Sequence, residues 1–170
     1  RADRGVGQIY VLPLGGGEAV QVTHQEGRAS APAWSPNGRY LSYLVEEVDD
    51  EHERQRKARE GDQWVVDENP HRSHIWILEF TDGIDQALTS GCVPEPRRVT
   101  PREVHVGTMS AALYDWAPDS QGFAAIIAES PKVDHLWCAE VATVSLEGEI
   151  QRLGTFWGLF NPPSYSPDGR

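Results

Sequence analysis

The side chains best able to do chemistry in this sequence are histidines and paired carboxylates, and their spacing limits what they can do. His71 and His74 are three residues apart, which on a helix would place both imidazoles on one face, as a zinc site requires. Pro70 precedes them and a strand-like run follows, so we expect neither a helix nor a metal site. Glu46 and Glu47 could hold the amino terminus of a substrate, but they begin a charged run, which favours simple solvation.

Nucleophile and phosphate-binding motifs are missing from the sequence. The Gly-x-Ser-x-Gly elbow holds a hydrolase serine on a strained strand-to-helix turn, and the nearest run, 107–111, has the wrong spacing. The glycines at 15–17 lie between two predicted strands and open no helix, which indicates a hairpin turn. Cys92 and Cys138 form no Cys-x-x-Cys pair and are predicted to be separate thiols. We therefore assign no catalytic, cofactor-binding or metal-binding residue and expect no cofactor.

Composition limits the partners. The 170 residues include 15 basic and 26 acidic side chains, a formal net charge of −11. Such a chain is poorly suited to a phosphate backbone, which needs clustered Lys and Arg, so we expect no nucleic-acid partner. No run approaches the ~18–20 apolar residues of a membrane span, so we expect no membrane partner. Two unpaired thiols favour a reducing compartment, and we predict a cytoplasmic location.

One signature, an aromatic followed by a small residue, Pro, Asn or Asp and then Gly, occurs three times. The copies lie within 32–39, 114–122 and 163–170. Pro and Asn or Asp suit the centre of a tight turn, and Gly38 and Gly169 can take the left-handed conformation that reverses the chain. In the middle copy an extra residue separates Asp119 from Gly122, which predicts a looser turn.

A second signature, an apolar strand centred on an aromatic residue, alternates with the first. Its copies are 8–12, 74–78 and 135–139. Short closing strands follow at 18–23, 97–100 and 149–153, and the Pro turns lead into apolar strands at 40–45 and 123–128. Four-stranded antiparallel units in series are typical of a β-propeller. The tryptophans at repeat positions are then predicted to pack between blades: Trp34, Trp76, Trp116 and Trp137.

The predicted fold is all-β, a partial β-propeller of four-stranded antiparallel blades, with about two full blades and partial ones at each end. The end of one blade covers 1–30, a blade with a charged inserted hairpin (46–72) covers 31–104, a further blade covers 105–158, and the first strand of a truncated blade covers 159–170. Residues 63–67 are the predicted returning strand of the insertion. A ring needs roughly 4–8 blades, so we expect a fragment, prone to aggregate on its own. A β-sandwich with chance similarity between hairpins is the alternative.

The repeats resemble those of a known family. The segments 34–39, 116–119 and 165–170 resemble the TolB- or WD-like propeller repeats of TolB-like and prolyl oligopeptidase family proteins. The run 64–77, with its charged preface, is similar to the inserted hairpin of acylaminoacyl-peptidase and dipeptidyl-peptidase-like members. The resemblance implies a parent serine peptidase with an N-terminal propeller and a C-terminal α/β-hydrolase domain that carries the Ser-Asp-His triad. No position of this sequence matches the triad.

Two functions follow as expectations. The first is a non-catalytic propeller portion of a serine peptidase, which gates and scaffolds peptide access to an α/β-hydrolase domain absent from this chain. Its partners would be that C-terminal hydrolase domain and a peptide substrate. The alternative is a TolB-like propeller that acts as a protein–protein interaction module with no hydrolase domain. A sugar- or metal-handling propeller enzyme is a weaker third possibility, since no converging polar set is identifiable.

Overall fold

A computed structural model describes residues 5–49, 55, 59, 71–81, 83–107, 113–155, 161–166 and 168–169. These residues include eleven strands and two short helices, and Gln55 and Arg59 are also helical. The strands are β1 Tyr10–Val11, β2 Val20–Gln21, β3 Ala29–Trp34, β4 Tyr40–Glu46, β5 Ser73–Glu79, β6 Arg97–Arg98, β7 His105–Val106, β8 Tyr114–Trp116, β9 Gly122–Ala128, β10 Glu140–Ser145 and β11 Ile150–Thr155. The helices are α1 Ile84–Ser90 and α2 Val133–Leu136.

The first blade is the antiparallel sheet β3-β4-β5-β6. Its central strands β4 and β5 pair along their whole lengths, from Tyr40 opposite Glu79 to Glu46 opposite Ser73. Five consecutive residues of β4 are buried, because both faces of the blade are covered by neighbouring elements. A strand buried on both faces reads as a continuous apolar run rather than an alternating one. This is why the segments after the Pro turns could be predicted as strands.

The second blade is an antiparallel sheet centred on β9, with β10 and then β11 on one side. On its other side β9 pairs with two short strands, β8 beside Phe123–Ala125 and β7 beside Ile127–Ala128. The first blade shows a related irregularity in β3, whose register shifts between Ser30 and Ala33. At the shift Ala31 has a φ of 51°. In both blades the strand that begins the sheet is therefore interrupted.

Partial elements lie at both ends of this arc. The two-stranded sheet β1-β2 packs on the first blade through a cluster that includes Ile9, Val22, Tyr43 and Leu78. At the other end, Asp115 of the second blade accepts hydrogen bonds from the Ser164 hydroxyl and the Tyr165 amide, each at 3.2 Å. The prediction of an all-β partial propeller is confirmed. Within the described residues no helix is long and apolar enough to span a membrane.

The largest core cluster lies between the two blades. It contains Leu44, Ile75, Ile77, Val99, Val104, Val106, Trp116, Phe123, Ala125, Ile127, Ala142, Val144 and Leu146. Trp116 also crosses the junction with a polar contact, since its Nε1 donates to Ser42 Oγ of the first blade at 2.8 Å. Tyr114 Oη donates to the Ala31 carbonyl at 2.7 Å. The blades are thus joined by apolar packing and by hydrogen bonds, of which the one between Trp116 and Ser42 is buried.

The three Pro turns have one geometry. In each, the amide of the fourth residue donates to the carbonyl of the first at 2.9 Å: Gly38 to Ser35, Ser120 to Ala117 and Gly169 to Ser166. The φ angles of those fourth residues are 71°, 61° and 76°. The prediction of a looser middle turn is wrong, because Ser120 takes the left-handed position and Gly122 begins β9. Ser120 tolerates a conformation that costs an L-residue ~1–2 kcal/mol.

The structure also corrects the predicted strand at 135–139. Val133–Leu136 forms helix α2, and the strand begins at Glu140. Ser130 Oγ accepts from the Lys132 amide at 3.3 Å and bonds His135 Nδ1 at 2.8 Å, which holds this turn in a helical form. Trp137 is 47% exposed. Its predicted packing between blades is therefore wrong.

The other repeat-position tryptophans differ among themselves. Trp116 is buried between the blades, as predicted. Trp34 is 43% exposed and its ring lies 5.7 Å from that of Phe80 in its own blade region. Trp76 is half-buried against the cluster between the first blade and the β1-β2 sheet. Helix α1, which ends at Gly91 with a φ of 68°, was not predicted, and the predicted strand 63–67 lies outside the described residues.

Candidate functional site

A cluster of polar side chains lies where the charged stretch 46–72 joins the first blade. We call Glu47, Arg72, His74, Thr100 and His105 the junction cluster. The Glu47 amide donates to the Arg72 carbonyl at 2.7 Å, and the Arg72 amide donates to Glu47 Oε2 at 3.2 Å. These two bonds extend the pairing of β4 and β5 by one residue beyond the strands. They bring the cluster's carboxylate next to its histidines.

Within the cluster, His74 connects a carboxylate to a hydroxyl. Its Nε2 donates to Glu47 Oε1 at 3.0 Å, since a carboxylate can only accept. Its Nδ1 lies 3.4 Å from Thr100 Oγ1, an oxygen that accepts the Ile75 amide at 3.1 Å. This order of groups is that of an activated nucleophile, its base and an orienting acid. However, Thr100 is 1% exposed and His74 2% exposed, so no substrate reaches the hydroxyl and the arrangement is structural.

The charges of this pair follow from burial and from hydrogen bonding together. Burial lowers the pKa of His74 below its ordinary value, and the Glu47 carboxylate only partly opposes that shift. Burial by itself would raise the pKa of Glu47, but the hydrogen bonds from His74 and from the Arg72 amide outweigh it and lower the pKa. A neutral imidazole therefore donates to an ionised carboxylate.

His105 reaches the same cluster from the second blade. Its Nδ1 accepts the Ser73 amide at 3.0 Å, so the ring proton is on Nε2. That Nε2 is buried and has no hydrogen-bond partner within the described part of the chain. Burial lowers the pKa of His105 to about 4, with further opposition to a positive ring from Arg72 and, once it is protonated, from His74. His105 is thus a neutral acceptor in a buried setting.

Beside the cluster lies an open cleft of about 1070 Å³, lined by 5–7, 26–28, 46–49 and His71. Glu46 is exposed at its wall, and Asp49 Oδ1 bonds His71 Nε2 at 2.8 Å. Gly27 lies against the Glu46 carbonyl so closely that a Cβ would overlap it. The cleft wall therefore combines tightly packed backbone with carboxylates, a surface suited to positively charged or backbone N–H groups.

A second, smaller cleft of about 450 Å³ lies on the second blade and includes His135, Cys138, Glu140 and Arg152. Arg152 Nε donates to Glu140 Oε2 at 2.7 Å, and the His135 ring is bonded to Ser130. Cys138 is a free, exposed thiol, as is Cys92. Among the residues described, no three His, Cys, Asp or Glu side chains converge as a metal site requires.

The histidines and carboxylates that the sequence analysis considered do not share one environment in the structure. His71 bonds Asp49 and His74 bonds Glu47, so the two histidines do not form one site. Glu46 is exposed, in keeping with solvation, but solvation is the wrong prediction for Glu47, whose carboxylate is bonded on both oxygens. Sequence reasoning missed His105 and Thr100 as members of the cluster. Each is isolated in the sequence, and no local pattern could have identified it.

The fold was compared with those of known proteins. No family model matches this chain, and no curated protein matches it. A solved structure from Agrobacterium tumefaciens, provisionally named TolB, is similar with a TM-score of 0.57 and 20% sequence identity, over 95% of this chain and 47% of that one. This chain therefore spans about half the length of that neighbour. The likeness concerns the fold, and it shows that this chain has a TolB-like β-propeller fold.

Proposed function

We propose that this chain is a non-catalytic portion of a β-propeller that binds and guides polypeptide. One observation carries the proposal. The Thr100, His74 and Glu47 side chains, which have the order of a nucleophile, a base and an acid, are bonded to one another, and the Thr100 hydroxyl and the His74 imidazole are closed to substrate. What the surface offers instead is the large open cleft, with carboxylates and backbone on its wall. Such a surface suits ligand binding, and its described lining residues include no Ser, Thr, Cys or Lys that could act as a nucleophile.

The specific form we propose is the propeller portion of a prolyl oligopeptidase family serine peptidase. Two features support it. The run 64–77 and the charged residues before it resemble the inserted hairpin of that family. In addition, residues 46–49 and His71, at the two ends of the stretch 46–72, line the cleft. In this form the propeller restricts peptide access to a C-terminal α/β-hydrolase domain of the parent protein. Peptide is then the substrate and the cytoplasm the proposed location.

A serine-reactive fluorophosphonate probe tests this form directly. The natural full-length gene product should be labelled and should hydrolyse short peptides, while the 170-residue chain alone should be neither labelled nor active. Boiled full-length protein serves as the control for non-specific labelling. A folded full-length product without labelling and without peptidase activity would rule out the peptidase form.

The second candidate is a TolB-like propeller that acts as a protein–protein interaction module. The structural similarity to the provisionally named TolB favours it. This candidate requires a full-length product that the probe does not label and that binds a folded protein stoichiometrically. The same labelling experiment therefore separates the two candidates.

A further inference from the structure

The start of β5 is attached to the second blade by two hydrogen bonds. The Ser73 amide donates to His105 Nδ1 at 3.0 Å. Arg72 Nε donates to the Glu129 carbonyl, at the end of β9, at 2.8 Å. The residues on either side of this junction are 32 and 57 positions apart in the chain. These two hydrogen bonds therefore exist only while the two blades are in contact at this point.

Only a neutral His105 can make the first of these bonds. An imidazole nitrogen accepts a hydrogen bond only while it carries no proton, and a doubly protonated ring is a donor on both sides. Protonated at Nδ1, His105 would place an N–H against the Ser73 N–H. Two donors cannot share a hydrogen bond, so the contact must break when the ring gains its second proton.

The groups around His105 do not offset that proton. Arg72, which precedes Ser73, raises the cost of a positive charge on the ring, and His74 of β5 does so once it is itself protonated. The one carboxylate acting on it, Glu47, follows β4 and is already bonded to His74 and to the Arg72 amide. From β6, Arg98 adds a further positive charge near His74. From β9, the approach to the junction is through the Glu129 carbonyl rather than its side chain.

We propose that the junction between the first and second blades at Ser73 and His105 opens in acid and closes at neutral pH, with His105 as the group whose protonation opens it. The device is independent of the peptidase or interaction form of the proposed function. The proposed opening is local. It occurs where the stretch 46–72 joins β5, beside the open cleft, and it leaves the apolar core between the blades intact.

Proton linkage sets the size of the effect. The closed junction holds the pKa of His105 at about 4, against an ordinary value of 6.5 once the ring is free. The closed form therefore binds fewer protons than the open form, so lowering the pH favours opening. For one such group the opening constant rises about twentyfold between pH 7 and pH 5. Most of that rise falls below pH 6.5.

Amide hydrogen exchange of the 170-residue chain, followed residue by residue by NMR and corrected for the intrinsic chemical rate at each pH, measures the opening. The opening constant at the Ser73 amide should rise about twentyfold from pH 7 to pH 5. The Ile126 amide, bonded to the Leu113 carbonyl at 2.8 Å within the second blade, reports on wider unfolding, and its opening constant should stay well below that of Ser73 at both pH values.

The variant His105→Asn is the matched test, because its Oδ1 lies where Nδ1 does, accepts a hydrogen bond and does not titrate. Its Ser73 opening constant should change less than threefold over the same pH range. The control His24→Asn alters an exposed histidine and should keep the wild-type response.

Three results would overturn the proposal. One is a Ser73 opening constant in the wild type that stays level between pH 7 and pH 5, or that equals the Ile126 opening constant at both pH values. Another is an equal rise in His105→Asn, or its loss in His74→Gln instead. If His105→Asn fails to fold, the ring titration of wild-type His105 decides: a midpoint near pH 6.5 with Ser73 still protected would contradict the mechanism.

Discussion

Trp116→Phe is expected to weaken the junction between the two blades by removing a buried hydrogen bond and part of an aromatic ring. Trp116 Nε1 donates to Ser42 Oγ at 2.8 Å and lies 3.2 Å from the Ala33 carbonyl. Its ring packs against Phe123 at a centroid distance of 4.1 Å and stacks on Tyr40 at 6.0 Å. Phenylalanine keeps the aromatic contact with Phe123 and loses the donor.

Two contributions make up the expected loss. The hydrogen bond contributes ~1 kcal/mol, and the buried Ser42 oxygen loses its best donor. The smaller ring leaves a cavity, for which ~1–2 kcal/mol is reasonable since complete truncation of a buried aromatic costs ~3–5 kcal/mol. The free energy of unfolding should therefore fall by ~2–3 kcal/mol. Ser42→Ala should cost ~1 kcal/mol, because Trp116 Nε1 keeps only the longer contact to Ala33.

A double-mutant cycle isolates the contact between the blades. Urea unfolding at 25 °C, followed by far-ultraviolet circular dichroism, gives the free energy of unfolding for the wild type, Trp116→Phe, Ser42→Ala and the double variant. The two substitutions should couple by ~1 kcal/mol, since each removes one end of the same bond. Trp137→Phe, at a site 47% exposed, is the control and should change the stability by less than ~0.5 kcal/mol. Additive effects of the pair would refute the assigned bond.

Three further changes test other parts of the structure, each by its effect on the free energy of unfolding. Ser120→Ala should cost ~1–2 kcal/mol, because it removes the hydroxyl that accepts a hydrogen bond from the Asn37 amide at 3.1 Å and keeps the strained φ. Ser120→Gly should cost less, because glycine relieves that strain. The reverse order of the two costs would contradict this account. Gly27→Ala should cost more than ~2 kcal/mol, because its Cβ would overlap the Glu46 carbonyl oxygen at the end of β4. Gly15→Ala, with open space around it, is the control and should change the free energy of unfolding by less than ~0.5 kcal/mol. Equal effects of the two would show that Gly27 does not lie against that carbonyl. Burial lowers the pKa of His105 from 6.5 to about 4, so between these pH values the unfolded chain binds a proton that the folded chain does not. The free energy of unfolding should therefore fall by up to ~1.4 kcal/mol per pH unit as the pH drops from 6.5 to 4. In urea titrations His105→Asn should reduce the dependence of that free energy on pH by one proton, and an unchanged dependence would contradict this account.

The strands and turns of the blades could be predicted because their signals are local. The runs 40–45, 74–78 and 123–128 all lie within observed strands. Each is a mainly apolar stretch, with Ser42 and His74 the polar exceptions, as expected of a strand covered on both faces. The Pro turns also follow from local chemistry, although Ser120 shows that a glycine position can be filled by another residue when its side chain gains a hydrogen bond.

The prediction failed where an aromatic residue was the only guide. The aromatic-centred pattern placed a strand at 135–139, yet helix α2 and an exposed Trp137 occupy that region. An aromatic side chain is compatible with a strand, a helix end or a surface. Because propensity is a weak signal over four or five residues, the local bonds of Ser130 decided the conformation there.

The amino-acid order by itself determined the all-β class, the Pro-turn hairpins and the number of blades in the arc, because each of these signals is local and recurs along the chain. Only the tertiary structure decided that Ser73 meets His105, that Trp116 meets Ser42 and that Glu47 is bonded rather than solvated. Those pairs join positions 32, 74 and 27 residues apart. A residue's type states what it can bond, but which blade it faces depends on how the sheets twist and stack.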